Sequence, residues 1–412
     1  MHLGIVCFSS PGHVNPMMSL ARRLRERGHA ITFFQLSDST DTITDEGFQC
    51  IAIGNRIDFD HVKALETKIH RSMGIKGLKL TGRRMELEAT VFLRSAATIE
   101  ESKIDGLIVD QFEVFGGTLA ERVRLPYVTV IVAMPLSNAG ETPIYFPWPH
   151  SSQLIARIRN TITHFILFLI AGRSVTRIIL DQRKKWQLPP ITKGGFFSRL
   201  AQISQLPQFL DYPRLVSPPL YYAGPFITNL DSDDARFSPQ AFGNRPVIYV
   251  SLGTVSSNQP YIYRLIDEAC AGFDVHLVVS TGKAKIEEIG KLKCRSTVME
   301  HLSQLAVLRT ARLAIFHAGV NTALECLYNG VPMIVIPLTN DQPGMAARLK
   351  RIGVAEIIPV RRLTVDRVRR CVNSILSDPG YAEAALAAKK QLEGKDGAMA
   401  AAEIIDKCLQ HS

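Results

Sequence analysis

Short apolar runs alternate along this chain with stretches whose apolar residues recur every three or four positions. Strands and helices are therefore predicted in turn. The pattern is clearest at residues 313–344. Leu313-Ala314-Ile315-Phe316 reads as a buried parallel strand, closed by His317-Ala318-Gly319. Asn321 can cap a helix in which Ala323, Leu324, Leu327 and Tyr328 share a face, and Gly330 is placed to end it. Met333 to Leu338 is the next buried strand, and the polar loop Thr339 to Gly344 follows. The chain opens on the same plan. Gly4 to Phe8 is a strand and Ser9 to Asn15 a loop. A helix then starts at Pro16 behind an Asn15 cap, with Met17, Leu20, Ala21 and Leu24 on one face. Gly28 stops it before the strand Ala30 to Phe34. Further on come a helix near Arg84 to Glu101, a strand Leu107 to Val109 ending at Asp110, a helix from Gly116 and a strand Tyr127 to Val132. A second series starts at Val247 to Val250 and continues through His276 to Ser280 and Ala355 to Pro359. Such alternation predicts an α/β fold with parallel sheets, and ligands bind at the carboxyl ends of those strands.

Polar residues collect at these strand ends. A helix beginning near Val320 presents free N–H groups and a positive dipole end, which suit phosphate oxygens. Gly319 lets the backbone approach a ligand, and His317, Asn321 and Thr322 can add donors. Glu325 is placed to accept from ribose hydroxyls, and Asp341 and Gln342 can bind a sugar. On the other half of the chain, His13 lies in the first loop and Asp110 at a strand end, with Glu113 a rival carboxylate in the same loop. No GxGxxG is present, so the nicotinamide and flavin fingerprint is missing. Residues 134–148 are rich in proline and aromatics. Met134 and Phe146, with Phe112 and Phe165, could line an apolar pocket; ordinary loop packing is the other reading.

Composition sets outer limits. The 412 residues suffice for two domains with sizeable cores, and 46% apolar with 21% charged residues is globular. The proline-rich, partly acidic stretch 206–246 marks a connection, which divides the chain into domains at 1–215 and 216–391. The net charge of +10 is spread over small clusters such as Arg183-Lys184-Lys185, with no basic run interleaved with aromatics. That argues against nucleic acid and leaves an anionic membrane surface open. The apolar run Phe165 to Ala171 is much shorter than a bilayer span and reads as a buried or interfacial helix. Seven scattered cysteines without CxxC pairs argue against disulfides and zinc. With no signal-peptide pattern at the start, a reduced cytoplasmic setting is expected.

Two motifs carry a family resemblance. His317-Ala318-Gly319-x-Asn321-Thr322-x-x-Glu325, followed by Asp341-Gln342, resembles the donor-site signature of the UDP-glycosyltransferases. Residues 341–348, DQPGMAAR, are similar to its zeaxanthin glucosyltransferase and macrolide glycosyltransferase branch. Pro11-Gly12-His13-Val14-Asn15-Pro16 resembles the family's N-terminal motif, and Ser251-Leu252-Gly253-Thr254 its first C-domain loop. One stretch departs: His301 and Ser303 stand where Trp and Pro are usual before Gln304, so less area is offered for stacking on the base.

The resemblance implies a GT-B fold, two Rossmann-like doubly wound domains facing across a cleft, with residues 392–412 returning to the first. It implies His13 as catalytic base and Asp110 as its partner. The implied donor contacts are Gly12, Gly253, Thr254, His301, Gln304, His317, Gly319, Val320, Asn321, Thr322, Glu325, Asp341 and Gln342. It also implies an inverting displacement from a UDP-sugar co-substrate, glucose by analogy at Gln342, to an apolar hydroxylated acceptor such as a carotenoid or polyketide. No metal or other cofactor is implied. A nucleotide-sugar epimerase of this architecture and a non-catalytic sugar-nucleotide-binding subunit are the alternatives.

Overall fold

A computed structural model of the chain describes residues 1–37, 40–72, 74–136, 142–191, 195–214, 220–227, 237, 242–243, 245–253 and 258–410. Two wholly parallel sheets organise it. The first has the order β3-β2-β1-β4-β5-β6-β7, with β1 His2–Val6, β2 Ala30–Gln35, β3 Gln49–Ala52, β4 Gly106–Asp110, β5 Tyr127–Ile131, β6 Gln202–Ser204 and β7 Leu220–Tyr222. The second has the order β10-β9-β8-β11-β12-β13, with β8 Val247–Ser251, β9 His276–Ser280, β10 Arg295–Met299, β11 Ala311–Phe316, β12 Met333–Val335 and β13 Ala355–Ile357. In both, the chain builds outward from a first central strand and then reverses, which is the doubly wound plan of a GT-B enzyme. The reversal leaves a crevice between β1 and β4 in one sheet and between β8 and β11 in the other. β7 lies beyond the expected boundary at residue 215 and extends the first sheet.

The central strands β1, β4, β8 and β11 are almost wholly buried, as strands covered by helices on both faces must be. The last helix, Gly397–Leu409, packs Ala398, Ala401, Ala402, Ile405 and Leu409 into the core of the first sheet. Small side chains permit that close seat; a Cβ on Gly397 would lie 2.1 Å from the Gly224 carbonyl oxygen.

Three predicted helices differ in the structure. The first helix runs Pro11–Glu26 from a Ser10 N-cap, not from Asn15. Pro11 meets the N1 preference, so Pro16 falls inside the helix, where its missing N–H leaves the Gly12 carbonyl without its intrahelical partner. The helix expected at Arg84 to Glu101 begins at Gly74, ends at Arg94 and restarts as Ala96–Glu101. Of the two readings of the Phe165 to Ala171 run, the buried one fails, since none of its residues is buried. The run lies in one continuous helical rod, Leu154–Lys185, long and apolar enough by length and composition to cross a bilayer. A π-turn at Phe168–Gly172 joins its two α-helical halves.

Candidate active site

The β1–β4 crevice brings His13 to Asp110. Nδ1 of His13 lies 2.5 Å from Oδ2 of Asp110, and the carboxylate is fully buried. Asp110 Oδ1 accepts the Phe112 N–H at 3.0 Å, so both carboxylate oxygens are engaged. The Phe8 and Phe112 rings pack on the imidazole at 5.3 and 5.1 Å. Burial by itself favours a neutral His13. The Asp110 charge and hydrogen bond, with Asp341 adding to them, outweigh burial and raise its pKa. Glu113 is not the partner. Burial, with Glu88 and Asp110 close by, pushes its carboxyl well above the usual range.

Behind this pair lies a buried group that sequence reasoning missed. Arg84 donates to Ser9 Oγ at 2.7 Å and to Glu88 Oε1 at 3.2 Å, and its guanidinium sits 3.8 Å over the Phe8 ring. Burial raises Glu88 to about 7 despite Arg84. The one available signal was the i,i+4 spacing of Arg84 and Glu88 on an otherwise apolar helix face.

The β8–β11 crevice forms the opposite wall. The helix Val320–Asn329 starts behind a Gly319 N-cap with no side-chain cap among the described residues, which leaves its first-turn N–H groups available at the cleft. Asn321 is not the cap. Its Nδ2 donates to the Gly12 carbonyl at 2.8 Å, the group that Pro16 leaves free, and its Oδ1 accepts from Gln205 at 2.8 Å. The two walls are thereby tied at the base of the site. The left-handed residue of the turn is Ala318 (φ 65°), not Gly319. Gly319 is needed because a Cβ there would lie 2.5 Å from His317 Nε2, and one on Gly253 would lie 2.3 Å from Cε1. Two glycines thus make the slot for the His317 ring. Burial holds His317 neutral, at about 4, against an opposing contact with the Ser251 backbone.

The remaining predicted donor residues are partly committed within the protein. Gln304 accepts from the Tyr249 hydroxyl at 2.7 Å, and donates to Glu325 and to Thr322 Oγ1 (3.3 Å). Burial lifts Glu325 to about 7 although Gln304 opposes the shift. Gln342 is buried, and its Oε1 accepts the N–H groups of Leu338 and Thr339 at 2.7 and 2.9 Å, so only its amide nitrogen remains to donate. Asp341 begins the next helix, Gln342–Arg351; burial raises its pKa, and His13 is among the opposing charges. Val320 sits in the first turn and His301 is exposed. Thr254 falls outside the described residues.

The four proposed pocket residues separate. Phe112 borders His13. Phe146 is half-buried and stacks on Trp148 at 4.4 Å. Met134 is buried against Gly344, at the seam between the domains, because Met134 and Ile144 press on the start of helix Gln342–Arg351. Phe165 is 59% exposed on an outer helix face.

A zeaxanthin glucosyltransferase of Pantoea ananas is 29% identical over 406 residues, 96% of this chain and 93% of that protein. The solved glycotransferase of kitacinnamycin superposes with a TM-score of 0.78 at 24% identity, covering 99% of both chains. The glycosyltransferase VinC, solved in complex with dTDP, covers all of both chains at a TM-score of 0.70 and 18% identity. The family model of the UDP-glucoronosyl and UDP-glucosyl transferases matches residues 93–391. With two doubly wound sheets and a polar site at both crevices, the chain belongs to that glycosyltransferase family.

Proposed function

We propose that the protein moves a glucosyl group from a UDP-sugar to a hydroxyl of an apolar natural product, in a single displacement that inverts the anomeric carbon. The observation that carries this reading is the His13–Asp110 pair set across a cleft from the uncapped N-terminus of helix Val320–Asn329. With Nδ1 held by Asp110, Nε2 of His13 takes the acceptor hydroxyl's proton as the oxygen attacks, and Asp110 stabilises the imidazolium. Negative charge grows on the leaving diphosphate. The first-turn N–H groups from Val320 onward stabilise it, and His317, being neutral, adds a hydrogen bond rather than a charge. Glu325 accepts from the ribose, Asp341 and the Gln342 amide hold the hexose, and Gly12 and Gly253 shape the walls. The scheme uses no metal and no other cofactor. Phe112 and Phe146 border the acceptor. The name of the Pantoea relative supports a hydroxylated apolar acceptor of carotenoid or polyketide type. The seven free cysteines support a cytoplasmic setting.

A dTDP-sugar is the competing donor. His301 offers a smaller face to the base than tryptophan would, and the similar VinC was solved with dTDP. Titrating the protein with UDP and dTDP and scanning sugars by mass spectrometry separates these donors. His13→Ala should keep nucleotide affinity and lose transfer by about a hundredfold or more. Transfer near the wild-type rate would remove His13 from the base role. Conversion of donor in the absence of any acceptor would favour an epimerase.

A further inference from the structure

The helix Leu154–Leu167 and the π-turn after it bury almost nothing on their outer side. Leu154, Ile155, Ile158, Ile162, Phe165, Ile166, Phe168 and Leu169 are all exposed, Ile155 to 80%. At about 100° per residue these positions fall on one continuous stripe, roughly 24 Å long. Only Ala156 and Asn160 of helix Leu154–Leu167 are buried. An apolar surface of this extent is uncommon on a monomer and marks an interaction face. Its charge pattern says what covers it. From Thr142 to Leu180 the sequence contains no Asp or Glu, yet it carries Arg157, Arg159, Arg173 and Arg177. Beside the stripe a notch of about 480 Å³ has an apolar floor of Phe168, Leu180 and Leu188. Arg173, Arg177 and Lys184 rim it, with Asp181 the one carboxylate among its lining residues.

We propose that this stripe docks the enzyme on the surface of a bilayer containing anionic lipids, with the apolar residues in the acyl boundary and the arginines at the headgroups. An apolar face bordered by cations and free of acids is the pattern of a helix lying in the membrane interface. The rod does not cross the bilayer. Its second half buries Val175, Ile179 and Arg183 in the protein. At its middle, Gly82 of the helix Gly74–Arg94 meets Ala171 so closely that a Cβ would lie 2.7 Å from the Ala171 carbonyl oxygen. Spanning would tear these contacts apart. The docked helix also adjoins the acceptor side of the cleft. Arg159 lies 4.1 Å over the Trp148 ring, and Trp148 stacks on Phe146. Resting on the acceptor reading above, the stripe holds the cleft where an apolar acceptor dissolved in the leaflet is within reach.

Co-sedimentation of the purified full chain with vesicles tests this without any sugar donor. Binding to phosphatidylcholine vesicles containing about 30% phosphatidylglycerol should exceed binding to pure phosphatidylcholine about tenfold, and high salt should weaken it. The double variant Ile155→Glu/Ile162→Glu should lose about tenfold of that binding, with unchanged melting and unchanged transfer to a water-soluble hydroxylated aromatic. Arg173→Glu/Arg177→Glu should lose the preference for anionic vesicles even if the first variant folds poorly. The proposal is overturned if the wild type ignores anionic vesicles, if binding survives both variants, or if the stripe instead holds a dimer that Ile155→Glu/Ile162→Glu dissociates. A wild type that binds vesicles but transfers no sugar would sink the transferase reading alone.

Discussion

As the proposed base, His13 would act only while its imidazole is neutral, and Asp110 raises the pH at which that form dominates. Under the proposed mechanism, kcat/KM should rise with pH through an apparent pKa above 6.5. Asp110→Asn should move that pKa down, because burial then acts with less opposition, and should lower the plateau by about a hundredfold or more. A pH–rate series on both proteins checks this; an unmoved pKa would exclude Asp110 as the partner. The raised pKa also stabilises the fold. That contribution is complete below the unfolded value near 6.5 and is lost as pH rises through the higher folded value. The positions of both members at strand ends were legible in the sequence, and their pairing was implied by the family resemblance. The Arg84–Glu88 group behind them was not, because a mid-helix charge pair looks the same in a string whether it faces water or the core.

At the scale of elements, the β11 strand and its following helix show what periodicity reads well and what it does not. The strand, the helix and the glycine stop all came from the apolar pattern. The cap did not, because Asn321 satisfies a carbonyl from the other domain, and local sequence cannot reveal a partner so remote. Gly319 has an ordinary φ of −66°, so Gly319→Ala adds no backbone strain and acts only on the His317 ring. It should cost about 1–3 kcal/mol by overpacking and raise the donor KM about tenfold, which corresponds to about 1.4 kcal/mol. Denaturant melts and donor saturation curves measure the two effects. A donor KM within about twofold of wild type would mean that the ring does not serve the donor.

At the scale of the whole molecule, a buried ion pair joins the halves. Arg348 is fully buried. It donates to Asp211 Oδ1 at 3.0 and 2.9 Å, to the Pro143 carbonyl at 3.2 Å, and its guanidinium lies 4.1 Å over the Tyr212 ring. Burial pushes Asp211 up, but Arg214 and Arg348 overcome it and hold the carboxyl at about 2. That shift contributes about 2 kcal/mol, present above pH about 4 and lost as pH falls toward about 2. Arg348→Ala should cost about 3 kcal/mol or more, since it strands part of a buried charge, and should raise the pH of acid unfolding. Urea melts at neutral pH and an acid titration would show both; unchanged stability would mean that the strap is idle.

By itself, the sequence determined the α/β alternation, the strand-end positions of His13, Asp110 and the 317–342 cluster, and the family. Each of these is written in local periodicity or in short motifs whose spacing the backbone preserves. Only the tertiary structure decided that Asn321 ties the domains, that Gln304 and Gln342 are already engaged, that Arg348 is a buried strap, and that Phe165 faces outward. Asn321 and Arg348 meet partners 309 and 137 residues away, and even the nearer partners of Gln304 and Gln342 are chosen by how the chain folds back, which periodicity and spacing do not record.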